Sequence, residues 1–131
     1  MAKLIHTMVR VTKLDEALAF YKNAFGFEEK HRLDFPTFTL VYLGNEDSEA
    51  ELELTYNKGR TEPYEHGTAY GHIAFSVDDL EAAHQRLTQA GYEPAEIKQL
   101  DLDGVKQARY FFVRDPEGYQ VEVLERGGHY K

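Results

Sequence analysis

Along residues 4–11, LIHTMVRV, side chains alternate between two faces. Leu4, His6, Met8 and Arg10 share one, Ile5, Thr7, Val9 and Val11 the other, and this period of two predicts a strand. The spacing then becomes helical: in TKLDEALAFYKNAFG (12–26) apolar residues fall at 14, 17, 18, 21 and 25, with Thr12 and Asp15 set as a capping box and Gly26 as the stop. TFTLVYLG (37–44) and AELELTYN (50–57) predict two further strands separated by the acidic turn NEDSE. The second half runs in the same order. GHIAFSV (71–77) predicts a strand and DDLEAAHQRLTQAG (78–91) a helix capped by Asp78 and stopped by Gly91; ARYFFV (108–113) and GYQVEVLE (118–125) predict the closing strands.

The two halves superpose. At a constant offset of 66 residues His6 falls on His72, Val11 on Val77, Leu14 on Leu80, Ala17 on Ala83 and Ala24 on Ala90; at an offset of 69, Leu52-Glu53-Leu54 falls on Val121-Glu122-Val123. This is an internal repeat, over about 4–57 and 71–125, joined by the breaker-rich linker KGRTEPYEHGT (58–68). A chain of 131 residues falls within the size of one domain and can bury a core without staples, so the expectation is a single domain, 1–131, built from two repeats.

Composition then narrows the function. Fifteen basic against 23 acidic side chains leave a net charge of −8, which argues against a nucleic-acid surface. No stretch reads as a signal peptide or approaches the roughly 20 apolar residues of a membrane span, and the expected location is the cytoplasm. The chain has no cysteine, so any metal must be held by His, Asp and Glu.

The repeat turns scattered polar residues into a constellation. Each half opens on a strand with a histidine and closes on a strand with a glutamate, and a pseudo-twofold axis between such halves would unite two His and two Glu. Neutral imidazole with carboxylate suits Zn²⁺, Ni²⁺, Co²⁺ or Fe²⁺ and leaves positions open for water or substrate. Taken singly, a strand histidine is usually an ordinary one, and Glu53 and Glu122 each fall on a polar face, beside Glu51, Thr55 and Asn57 and beside Gln120. Their matched repeat positions set these four apart. His31, His66, His84 and His129 have no repeat partner and read as surface residues.

Four segments, HTMVRV, ELTYN, GTAYGHIAFSV and DPEGYQVEV, in this order and spanning about 4–125, resemble the signature segments of the glyoxalase I enzymes (lactoylglutathione lyases) of the vicinal oxygen chelate superfamily. That resemblance implies an α+β fold of two tandem βαβββ modules whose sheets curve around a metal site, with His6, Glu53, His72 and Glu122 as the metal ligands. It implies one divalent metal per site, with Ni²⁺ suggested for so short a chain and Zn²⁺ or Co²⁺ as alternatives. It also implies the reaction: the hemithioacetal of methylglyoxal and glutathione is isomerised to S-lactoylglutathione. The metal spreads the developing enediolate charge, and a carboxylate moves the proton between carbons. Glu122 matches the base of the family, while Glu53 is chiefly a ligand and a second catalytic carboxylate. Arg10 and Asn57 match positions that touch glutathione. The segment LDLDGVKQARYFF (100–112) departs from the family's glycine-rich loop, leaving Lys106 or Arg109 as substitutes for a thiol-gripping lysine.

The resemblance further implies a homodimer in which His6 and Glu53 of one chain meet His72 and Glu122 of the other. Within the same superfamily an extradiol dioxygenase would use two His and one carboxylate on Fe²⁺, which the presence of both Glu53 and Glu122 disfavours. An acyl-CoA epimerase shares the metal and the proton abstraction. A small-molecule-binding resistance protein needs no metal at all.

Overall fold

The computed structural model describes residues 1–131 and divides into two compact units, 1–65 and 66–131. Their boundary falls inside the linker that the breakers mark. The first unit runs β1 (His6–Val11), α1 (Leu14–Phe25), β2 (Glu28–Asp34), β3 (Phe38–Gly44) and β4 (Glu51–Asn57). The second runs β5 (Ile73–Val77), α2 (Leu80–Gln89), β6 (Lys98–Leu102), β7 (Val105–Arg114) and β8 (Gln120–Glu125). Each is a βαβββ module with one four-stranded sheet, ordered β1-β4-β3-β2 and β5-β8-β7-β6. The first strand of each module pairs parallel with the last, and the remaining pairings are antiparallel.

Burial explains why these residues form these elements. In the first unit α1 presents Ala17, Phe20, Tyr21 and Ala24 to one sheet face, where Val9, Val11, Val41, Leu43, Leu52 and Leu54 are also buried. In the second, Leu80, Ala83 and Leu87 of α2 are buried together with Phe111, Val113, Val121 and Val123. The opposite face of each sheet carries the polar residues of the repeat.

Two strands lie outside the hydrophobic pattern. Glu28–Asp34, EEKHRLD, is exposed along its whole length and holds to the sheet through its ladder with β3, with a bulge between Glu29 and His31. A charged edge of this kind resists pairing with foreign strands. Lys98–Leu102 is likewise exposed throughout. It is joined to β7 by Asp103 and Gly104, both at positive φ (52° and 77°), the backbone that a two-residue hairpin turn requires. The segment 100–112, expected to stand in place of a glycine-rich loop, is therefore largely a hairpin.

The helix starts also move. Lys13 is the N-cap of α1 and makes no side-chain cap bond, so the Thr12–Asp15 capping box does not form; the acidic first turn, Asp15 and Glu16, complements the helix dipole instead. For α2 the cap is Asp79 rather than Asp78, its carboxylate accepting from the Ala82 N–H at 3.0 Å. Gly26 does close α1, in the left-handed conformation at φ 64°.

Candidate metal centre

His6 is the first residue of β1 and Glu53 the third of β4. In the parallel ladder Met8 is the partner of Glu53, which sets His6 diagonally across from it. The imidazole Nε2 lies 3.1 Å from Glu53 Oε1. The second unit repeats this arrangement. Ala74 is the partner of Glu122, His72 stands one residue before β5, and its Nε2 lies 3.3 Å from Glu122 Oε1.

A hydroxyl holds the approach to the second pair. Tyr70 donates to the Gln120 carbonyl at 3.0 Å and so ties the chain just before His72 to the strand carrying Glu122. Burial, reinforced by the Asp115 carboxylate, pushes the Tyr70 phenol up to about 12, so it remains a donor at physiological pH. Stacked on the same strand end is His66, whose ring lies 4.0 Å from that of Tyr119 and nearly parallel to it. His84 donates from Nε2 to the Ala95 carbonyl, 2.9 Å away, and meets the edge of Phe111. Neither is the plain surface residue that the sequence suggests; both are half-buried.

The aromatic wall was not legible as part of the site. Tyr42 on β3 is the cross-strand partner of Glu53, and Phe112 on β7 is the partner of Glu122. Each ring meets its histidine edge-on: Tyr42 with His6 at 5.5 Å and 77°, Phe112 with His72 at 5.3 Å and 75°. Here the halves differ. Glu53 Oε2 accepts from the Thr55 hydroxyl at 3.1 Å, and the Tyr42 hydroxyl lies close enough to the Glu53 carboxylate to feel its charge. Burial and the Glu53 charge together raise the Tyr42 pKa. Across from Glu122 stand the phenyl of Phe112 and, two residues on, Leu124. The Glu53 side chain is 9% exposed and that of Glu122 17%. Sequence alternation suggests a solvated face for Glu53, whereas the wall of β3 closes over it.

The donor chemistry fits a divalent metal. Nitrogen and oxygen donors about 2.0–2.2 Å from one ion are separated by roughly 3.0 Å at a right angle and roughly 3.4 Å at the tetrahedral angle. The two His–Glu separations, 3.1 and 3.3 Å, fall between these values. Each unit supplies one imidazole and one carboxylate, and the single chain contains no group of three or more such residues.

The expected substrate contacts sit at the far strand ends from His6. Arg10 is exposed on β1 opposite Thr55. Asn57 closes β4 and donates to the Tyr64 hydroxyl at 2.9 Å, while the Arg60 guanidinium lies 3.9 Å over the Tyr64 ring. Lys106 and Arg109 are already committed: Lys106 pairs with Glu125 at 3.0 Å, and Arg109 bridges Glu81 and Glu125.

Residues 3–123 match the model of the Glyoxalase/Bleomycin resistance protein/Dioxygenase superfamily. A lactoylglutathione lyase of Haemophilus influenzae is 40% identical over 129 residues, spanning 94% of this chain and 92% of that protein. One from Neisseria meningitidis is 38% identical over 128 residues, 95% of this chain and 91% of its own. Among solved structures, the trypanothione-dependent glyoxalase I of Leishmania major superposes with a TM-score of 0.76 at 37% identity, covering 95% of this chain and 87% of that one. The chain belongs to this superfamily and, within it, to the lactoylglutathione lyase (glyoxalase I) family, and it is an enzyme.

Proposed function

We propose that the chain isomerises the hemithioacetal of methylglyoxal and glutathione to S-lactoylglutathione, a detoxifying step, with the two units acting as one domain. The observation that carries this reading is the repeated His–Glu pair, 3.1 Å apart in one unit and 3.3 Å in the other, within a family of lactoylglutathione lyases. His6, Glu53, His72 and Glu122 would hold one divalent metal, Ni²⁺ being the first candidate and Zn²⁺ or Co²⁺ the alternatives. When bound, that ion supplies Lewis acidity to the two neighbouring substrate oxygens and so acidifies the C–H between them.

The chain's own residues do the rest. Glu122 takes the proton from the sulfur-bearing carbon and returns it to the adjacent one, so the substrate is isomerised with no net gain or loss of protons. Arg10 and Asn57 bind the anionic, hydrogen-bonding body of the thiol, a local cation being needed on a chain of net charge −8. Because each unit offers two donors, a full set requires a second unit. We place it across a twofold dimer, with His6 and Glu53 of one chain facing His72 and Glu122 of its partner. No helix is long and apolar enough to cross a membrane.

The test is direct. Metal-stripped protein is mixed with methylglyoxal and glutathione, each divalent ion is restored in turn, and thioester formation is followed by ultraviolet absorbance. Thioester appearing only after metal is restored supports the reading. A protein that holds metal but makes no thioester points to a related proton-abstraction reaction, such as acyl-CoA epimerisation.

A further inference from the structure

We infer that Tyr42, with Thr55, is a positioning residue that fixes Glu53 as a static ligand, and that Phe112 and Leu124 at the matching places leave Glu122 free to swing as the proton carrier. The inference rests on the metal reading of the four residues. It goes further by explaining, from this chain's side chains, why two carboxylates at equivalent repeat positions would not share one role.

The two halves act as each other's control. Tyr42 opposes Glu53, and Phe112 opposes Glu122, in the same cross-strand position. Their rings stand against the two histidines at nearly the same distance and angle, so the comparison isolates one hydroxyl. Thr55 follows Glu53 by two residues on β4, and Leu124 follows Glu122 by two on β8, which isolates a second. Glu53 therefore has Oε1 on the His6 side, where the metal would sit, and Oε2 held by the Thr55 hydroxyl, with Tyr42 directly across from it. A carboxylate that gives one oxygen to the metal and has the other held by a hydroxyl cannot rotate without breaking a charge-assisted hydrogen bond. At Glu122 the only charged or polar contact in view is His72, and the apolar walls offer no donor to hold the second oxygen. A proton carrier must visit two adjacent carbons in turn. A ligand must stay where it is.

The experiment grafts each arrangement onto the other half. Ni²⁺ is titrated into metal-stripped protein by calorimetry, and kcat and KM are measured on the reloaded enzyme, for wild type, Tyr42→Phe with Thr55→Val, Thr55→Ser and Phe112→Tyr. Loss of both hydroxyls is expected to weaken Ni²⁺ binding by about 10–100-fold, as for other partners of metal ligands, while Thr55→Ser, which keeps its hydroxyl, binds as wild type. Phe112→Tyr is expected to leave Ni²⁺ binding intact or tighter and to lower kcat by about tenfold, with KM unchanged, because the carrier is now pinned by a bond worth roughly that factor. Circular dichroism melting selects folded variants; should the double variant not fold, Tyr42→Phe alone is read in its place. Wild-type Ni²⁺ affinity without the hydroxyls, or wild-type kcat in Phe112→Tyr, overturns the inference while the metal reading stands. A wild-type protein that binds no divalent ion overturns both.

Discussion

Replacing Glu122 with glutamine exchanges one carboxylate oxygen for an amide nitrogen and changes almost nothing else. The side chain keeps its length and volume, and its place opposite Ala74 and Phe112 is set by backbone pairing that the substitution does not touch. The amide can still meet His72 across the 3.3 Å gap. Both partners of that contact are open to solvent, 43% and 17% exposed, so exchanging the carboxylate for an amide should cost under about 1 kcal/mol of stability. What disappears is the ability to take up and return a proton. Loss of a general base removes about 10²–10⁴ in rate, or roughly 3–5 kcal/mol in the barrier at 1.36 kcal/mol per tenfold. Glu122→Gln is therefore expected to keep its melting curve and to lose at least about a hundredfold in kcat. The assay is steady-state thioester formation, with bound metal quantified on the same sample so that a lost ligand is not mistaken for a lost base. A metal-loaded variant with wild-type kcat would refute the assignment and move the base to Glu53.

Further outcomes follow from the same geometry. His72→Ala removes one of four donors, and metal affinity measured by calorimetry should fall by at least about tenfold; unchanged affinity would return His72 to an ordinary residue beside a strand. Inactive His6→Ala and Glu122→Gln chains, co-expressed with different tags, should regain about half of the wild-type activity in mixed dimers, because one shared site collects both lesions and the other none. Mixed dimers as inactive as their parents would place each site within one chain. Arg109 holds the Glu81 carboxyl below the ordinary range, and Lys106, followed by Arg109, does the same for Glu125. A lowered folded-state pKa stabilises the fold above the unfolded value and loses that contribution as pH falls through the folded one. Denaturation midpoints should accordingly drop as pH passes below the usual glutamate range, and Arg109→Gln should flatten that dependence. An unaltered profile would deny the bridge any such role.

The hydrophobic period located both helices and most of the strands because those elements bury one face. It could not locate β2 or β6, whose residues are exposed throughout and are strands only because a neighbour offers them a ladder. One of the two had a usable signal: Asp103-Gly104 between the alternating Leu100, Leu102 and Val105 spells a hairpin turn. The helix starts slipped by a residue because Thr12, Lys13, Asp78 and Asp79 stand side by side and the winning cap depends on packing. The repeat alone singled out His6, Glu53, His72 and Glu122, since matched spacing survives in one dimension. Tyr42, Phe112 and Tyr70 did not show, because each reaches its carboxylate, histidine or strand only through cross-strand register or a contact distant in sequence.

The parallel pairing of first strand with last has a consequence for how each module is made. Local hairpins β2–β3–β4 and β6–β7–β8 can close early, since their strands follow one another. β1 and β5 cannot, for each must wait through a helix and two strands before its only partner exists. This is the most costly loop closure in the module and the one expected to limit its folding rate. It is also the step that delivers His6 to Glu53 and His72 to Glu122. On a ribosome releasing the chain N-terminus first, neither pair can form until the final strand of its module has emerged, so a nascent module has no opportunity to trap a metal in a half-made fold.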